Sequence, residues 1–182
     1  MVVLSWLYAW CAFYPAFSIQ RVVSILNENH GRRYSRVQRA RCARILQGYA
    51  RDLKNIPGAR KIIETLQNMY KSGDIENMQG HLFELEVAAW LQSIGTSIYA
   101  LSEHIGDYRC EFDILTPTRL IECKNVNMRH SSRLHDQILR QKAIADGLKK
   151  KYVVYFKKPI SVGLQQWFRD HSIAYRIFKA PA

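Results

Sequence analysis

A chain of 182 residues is the length of one globular domain with at most a small appendage, which excludes a multidomain machine. With 48% hydrophobic and 23% charged residues it has enough apolar material for a core, which argues against disorder over most of its length. Twenty-seven Lys and Arg against 15 Asp and Glu leave a formal charge of +12, a field suited to polyanions, nucleic acid first and anionic membrane second.

From Met1 to Gln20 no residue is charged, and the run approaches the roughly 20 apolar residues of a membrane span. Trp6, Tyr8, Trp10 and Tyr14 prefer interfaces or cores, and no basic residue precedes the run, both of which argue against a cleaved signal. A buried or partner-facing helix, membrane contact and a cleaved signal all stay open, and Pro15 would kink or end a helix here.

Between His30 and Lys61 stand ten basic residues, Arg32, Arg33, Arg36, Arg39, Arg41, Arg44, Arg51, Lys54, Arg60 and Lys61, against the single acid Asp52. Val37, Ala40, Cys42, Ile45, Leu46, Tyr49 and Leu53 recur near helical spacing, so the segment reads as an amphipathic helix with a guanidinium-rich outer face. Guanidinium forks match phosphate oxygens, which makes Arg32, Arg33, Arg36, Arg39, Arg41 and Arg44 candidate nucleic-acid contacts; the alternative is a solvated helix face. Ile56-Pro57-Gly58 breaks this helix, a second one resumes over 59–71, and Ser72-Gly73-Asp74 reads as a linker. The expected division is therefore 1–75, an apolar leader and basic helical region, and 76–182, a separate α/β domain.

The stretch 80–95 predicts a helix stopped by Gly95, with Glu84, Val87, Ala88 and Leu91 on one face. A carboxylate on an apolar stripe needs a partner, because burying an unpaired charge costs several kcal/mol, roughly. That partner is either a functional site or an arginine of the basic helix. Residues 96–102 are β-branched and aromatic enough for a strand. Residues 108–115 and 119–125 read as a hairpin about the turn Thr116-Pro117-Thr118. Alternation puts Glu111 with Asp113 on one face and Glu122 with Lys124 on one face of the neighbour, with Phe112, Ile114 and Ile121 opposite. A helix over 133–148, a buried strand over 151–157, a helix over 161–171 and a last strand over 174–178 complete the chain, giving an α/β sandwich around a mixed sheet. Cys11, Cys42, Cys110 and Cys123 lack the spacing of a zinc site or disulfide framework and read as reduced, mostly buried residues.

The ordered set of Glu84 on a helix, Asp113 on the second strand and Glu122-Cys123-Lys124 on the third resembles the signature of the restriction-endonuclease-like, or PD-(D/E)XK, nucleases. That superfamily includes Holliday-junction resolvases and nuclease-fold bacterial toxins. The resemblance spans about residues 78 to 178. The string Glu111-Phe112-Asp113-Ile114-Leu115 is similar to the Glu-Ile-Asp-Ile-Ile of resolvase-type members, with Phe112 where the family often has Pro. It implies an α-β-β-β-α-β-α-β core and a Mg2+- or Mn2+-dependent endonuclease hydrolysing phosphodiester bonds of DNA or tRNA. Glu84, Asp113, Glu122, Lys124 and Gln137 would be its catalytic residues. Asp113, Glu122, the Cys123 carbonyl and Glu84 would hold the ion, an oxygen donor set that suits magnesium. Gln137 and Gln141, one helical turn apart, fall where many members carry a glutamine that touches the site or substrate; otherwise they form an exposed helix face.

Two alternatives belong to other classes: a non-catalytic nucleic-acid-binding module on a nuclease-like scaffold, and a membrane-associated interaction protein acting through residues 1–20. Toxin-like similarity implies a cytoplasmic site of action after secreted or membrane-associated delivery, with residues 1–20 serving entry, an immunity partner or membrane transit. His81, His130 and His135 read as surface or core residues rather than catalysts.

Overall fold

The computed structural model describes residues 46, 48–49, 53–72, 75–105, 110–125 and 131–179. They form four helices and one mixed open sheet, in the order α1 (Ala59–Ser72), α2 (Ile75–Ser93), β1 (Ala100–His104), β2 (Glu111–Leu115), β3 (Arg119–Lys124), α3 (Ser132–Gly147), β4 (Lys151–Phe156), α4 (Val162–Asp170) and β5 (Ala174–Ile177). Strands lie side by side in sequence order: β1–β2 and β2–β3 are antiparallel, while β3–β4 and β4–β5 are parallel. The parallel steps each need a crossover, and because right-handed crossovers dominate, α3 and α4 fall on the same sheet face.

Two apolar layers result. Helices α1 and α2 pack on one face with Ile114, Ile121, Cys123, Val153 and Tyr155. Helices α3 and α4 pack on the other with Phe112, Leu120, Tyr152, Val154 and Phe156. Residues 82–89 of α2 are all buried, because this helix lies between α1 and the sheet. Leu46, Tyr49 and Leu53 of the expected amphipathic segment are each 1% exposed and join the same core as α1 and α2.

Local chemistry sets the boundaries. Helix α2 ends with Gly95 at φ 79°, Gly95 N–H donating to the Gln92 carbonyl and Thr96 N–H to that of Leu91, so residues 94–96 complete a cap. Strand β1 consequently starts at Ala100 rather than Thr96. Lys149 at φ 54° and Ser172 at φ 51° close α3 and α4 with the same bonding pattern. Gly58 adopts φ 82° where Leu101 N–H donates to the Pro57 carbonyl, and a Cβ there would lie 1.8 Å from the Leu101 carbonyl oxygen. The Pro-Gly break thus ties the start of α1 to β1. The β2–β3 turn is held by Thr116 N–H on the Arg119 carbonyl at 3.0 Å and Arg119 N–H on Thr116 Oγ1 at 2.9 Å.

The expected alternation fails at one place. Phe112 belongs to the α3–α4 side whereas Ile114 belongs to the α1–α2 side, although residues two apart on a regular strand share a face. The switch is at Asp113. In the β1–β2 register Leu101 faces Ile114 and Glu103 faces Phe112, so the neighbour of Asp113 is Ser102, whose φ of 49° is left-handed and locally strained. Both strands therefore bend at the level of Asp113.

Candidate functional site

The bend opens the sheet. Strands β2 and β3 are in register at Leu115↔Leu120 and Ile114↔Ile121, and beyond that the Cys123 N–H donates to Asp113 Oδ2 at 2.5 Å. A side-chain carboxylate thus stands where a backbone acceptor would continue the ladder. The N–H and C=O of a strand residue point to the same edge, so the Cys123 carbonyl faces this gap too. Lys124 points the other way, its carbonyl accepting from Lys157 N–H at 3.0 Å.

Glu122, 3% exposed, lies on the α3 side of the sheet. Its Oε2 accepts from Gln141 Nε2 at 2.7 Å, and its Oε1 accepts from Gln137 Nε2 at 3.1 Å and from the Lys124 ammonium. Gln141 is fixed in turn, donating to the Glu111 carbonyl at 3.0 Å and accepting from the Tyr152 hydroxyl at 2.7 Å. Both glutamines therefore reach the cluster, and Gln141, 1% exposed, is the more deeply held. Burial raises the Tyr152 hydroxyl well above its ordinary pKa, with the Glu122 and Asp113 charges adding to the effect, so it serves as a neutral donor.

Glu84 approaches from α2 and is 8% exposed, its Oε2 3.1 Å from His81 Nδ1. That hydrogen bond raises the His81 pKa against the opposing effect of burial. His81 is the contact that residue-by-residue reading missed; its i,i+3 spacing to Glu84 on a helix was the available signal. Two residues on, Glu86 is 1% exposed and pairs with Lys157, just after β4.

Asp113 stands between these groups. Part of its surface stays accessible, yet its carboxyl is closely surrounded by protein, and burial, the Glu122 charge and the Glu84 charge push its pKa well above the carboxylate range, against Lys124 and the Cys123 N–H. Burial acts to lower the Lys124 pKa, but Glu122 and Asp113 outweigh it, so the ammonium is retained. Burial likewise raises the Cys123 thiol, helped by Asp113, Glu84 and Glu122, so it stays protonated.

The expected residues Glu84, Asp113, Glu122, Lys124 and Gln137 are thus brought to one region, with Cys123 at its centre. Among the described residues, no three His, Cys, Asp or Glu side chains already form an ion cage. The donor chemistry fits a hard divalent cation: the Asp113 carboxylate and the Cys123 carbonyl border the gap, and the Glu122 and Glu84 carboxylates lie near enough for their charges to act on Asp113. Arg32, Arg33, Arg36, Arg39, Arg41 and Arg44 lie outside the described residues, as do residues 1–20, Cys11 and Cys42. Among the described residues no helix is long and apolar enough to cross a membrane. Cys110 and Cys123 are buried free thiols, as expected.

Comparison with known proteins adds little to this geometry. No protein-family model matches the chain, and no curated protein matches it. Among solved structures there is a distant match to the crystal structure of protein VC1899 from Vibrio cholerae, with 15% identity and a TM-score of 0.40 over 88% of this chain and 47% of that one. The chain therefore spans about half the length of that protein.

Proposed function

We propose that this chain is a metal-dependent nuclease of the PD-(D/E)XK superfamily, hydrolysing phosphodiester bonds of DNA or tRNA with Mg2+ or Mn2+. The observation that carries the reading is the gap between β2 and β3, where Asp113 replaces a ladder acceptor and shares its surroundings with Glu122, Glu84 and Lys124. Asp113, Glu122 and the Cys123 carbonyl would hold the ion, with Glu84 bonding to its water or to a second ion. A bound divalent ion would lower the pKa of a water and neutralise charge on the phosphoryl oxygens. Gln137 and Gln141 fix the orientation of Glu122 through their amide protons. Lys124, kept as an ammonium, stabilises negative charge on the phosphoryl group and orients the attacking water. His81 holds Glu84 from behind. The core order from α2 onward, α-β-β-β-α-β-α-β, accords with the superfamily.

One observation favours a second reading, a non-catalytic nucleic-acid-binding module: Lys124 is closed on Glu122, and no ion cage stands ready among the described residues. Incubation with plasmid DNA and total tRNA, in magnesium or chelator, separates the two. The nuclease reading expects magnesium-dependent loss of one substrate, reduced at least about 100-fold in Asp113→Ala and Lys124→Ala, roughly 3 kcal/mol of transition-state stabilisation. Full cleavage by either variant contradicts it, and nucleic-acid retention without cutting selects the binding module.

A further inference from the structure

We propose that the cavity between the start of β2 and the outer face of α3 is a nucleotide subsite that takes a base bearing an exocyclic amino group. This rests on the nuclease reading and names a substrate contact of the same site. The cavity holds about 540 Å3 and is lined by Glu111 of β2 and by Arg133, Asp136, Gln137, Arg140 and Gln141 of α3. Its size falls within the roughly 300–1,000 Å3 of small-molecule sites. It adjoins the carboxylate cluster directly, since Gln137 and Gln141 in its wall both bond to Glu122.

Three of the four charged groups in this cavity are uncommitted. Arg133, Asp136 and Arg140 make no hydrogen bond or ion pair among the described residues, although they stand three and four residues apart on one helix. The same helix does close such a pair further on, where Lys142 Nζ lies 2.5 Å from Asp146 Oδ2. The ligand chemistry follows from the donors and acceptors. Guanidinium planes suit phosphate oxygens and stack on base rings. The carboxylates of Asp136 and Glu111 only accept hydrogen bonds, so they disfavour a bare phosphate and select a base edge that donates. Adenine, cytosine and guanine present an amino group with two N–H donors, whereas uracil and thymine offer only the single N3–H, whose flanking O2 and O4 carbonyls repel a carboxylate. Glu111 also stands 3.4 Å from His104 Nε2, which leaves Asp136 as the main reader.

The test is titration of the full chain, in chelator, with CMP, UMP and inorganic phosphate. Arg133, Asp136 and Arg140 are solvent-exposed, so their variants keep the fold, which thermal unfolding verifies. Saturable CMP binding is expected, with UMP at least fivefold and phosphate at least tenfold weaker. Asp136→Asn should shrink the CMP preference below twofold, and Arg133→Ala with Arg140→Ala should weaken CMP at least tenfold. Absence of saturable CMP binding, phosphate binding as tight as CMP, or a preference unchanged in Asp136→Asn overturns the subsite. Cleavage assays on the same preparations keep the two claims apart. A wild-type chain that binds CMP as described but never cuts overturns the nuclease reading alone, and one that cuts without binding CMP overturns the subsite alone.

Discussion

Two buried glutamate–lysine contacts lie close together in this molecule and are built on opposite principles. Glu86 of α2 meets Lys157 just after β4, and the Lys157 ammonium lies 5.3 Å from the Phe83 ring centre and 5.8 Å from that of Phe178. There one acid meets one base inside an aromatic wall, with Glu86 Oε1 left without a hydrogen bond. Glu122 meets Lys124 among two further carboxylates, Asp113 and Glu84, and its oxygens are fixed by two glutamine amides. The first arrangement balances its charge and ties α2 to the sheet. The second concentrates negative charge at a place where the backbone ladder is already broken, which is a structural cost unless a cation offsets it.

The contrast makes opposite predictions for superficially similar substitutions. Glu86→Gln should destabilise the protein by ~3 kcal/mol, because it leaves Lys157 against two phenyl rings with no anion. Chemical denaturation would show the loss, while the rate per folded molecule stays within about twofold of wild type if the pair is structural. A large drop in rate at full folding would instead join Glu86 to the site. Gln141→Ala should cost about 2 kcal/mol, since it strips a donor from Glu122 and leaves the buried Tyr152 hydroxyl without its acceptor. Gln137→Ala, which removes a donor from the more open side, should cost less than half of that in the same denaturation experiment.

Much of the fold was legible in the sequence because long periodic segments dominate it. The expected helix over 133–148 is α3 at Ser132–Gly147, and the apolar run over 151–157 is the buried β4. Convergence of Glu84, Asp113, Glu122 and Lys124 was legible because motif order and strand alternation survive over Glu122–Lys124. Three features were not. The face switch between Phe112 and Ile114 depends on a bend shared with Ser102, a pairing that becomes visible only once β1 and β2 are in register. Burial of Glu86 is matched by a partner, Lys157, that lies 71 residues away, beyond the reach of any local pattern. His81 was readable only by asking what would support Glu84 on its own helix, because a single histidine carries no pattern.

Thermal unfolding of wild type and Asp113→Asn, at pH 5 and pH 8, in chelator or with Mn2+, tests the charge imbalance most directly. The sign follows from the raised Asp113 pKa: its contribution to stability is present below the unfolded value of about 3.9 and is lost as pH rises through the folded value. In chelator at pH 8, Asp113→Asn should therefore exceed wild type by on the order of 1 kcal/mol, with the gap narrowing at pH 5. Mn2+ should stabilise wild type and leave Asp113→Asn nearly unchanged. An Asp113→Asn protein less stable than wild type in chelator at pH 8, or an equal rise of both with Mn2+, would contradict the account.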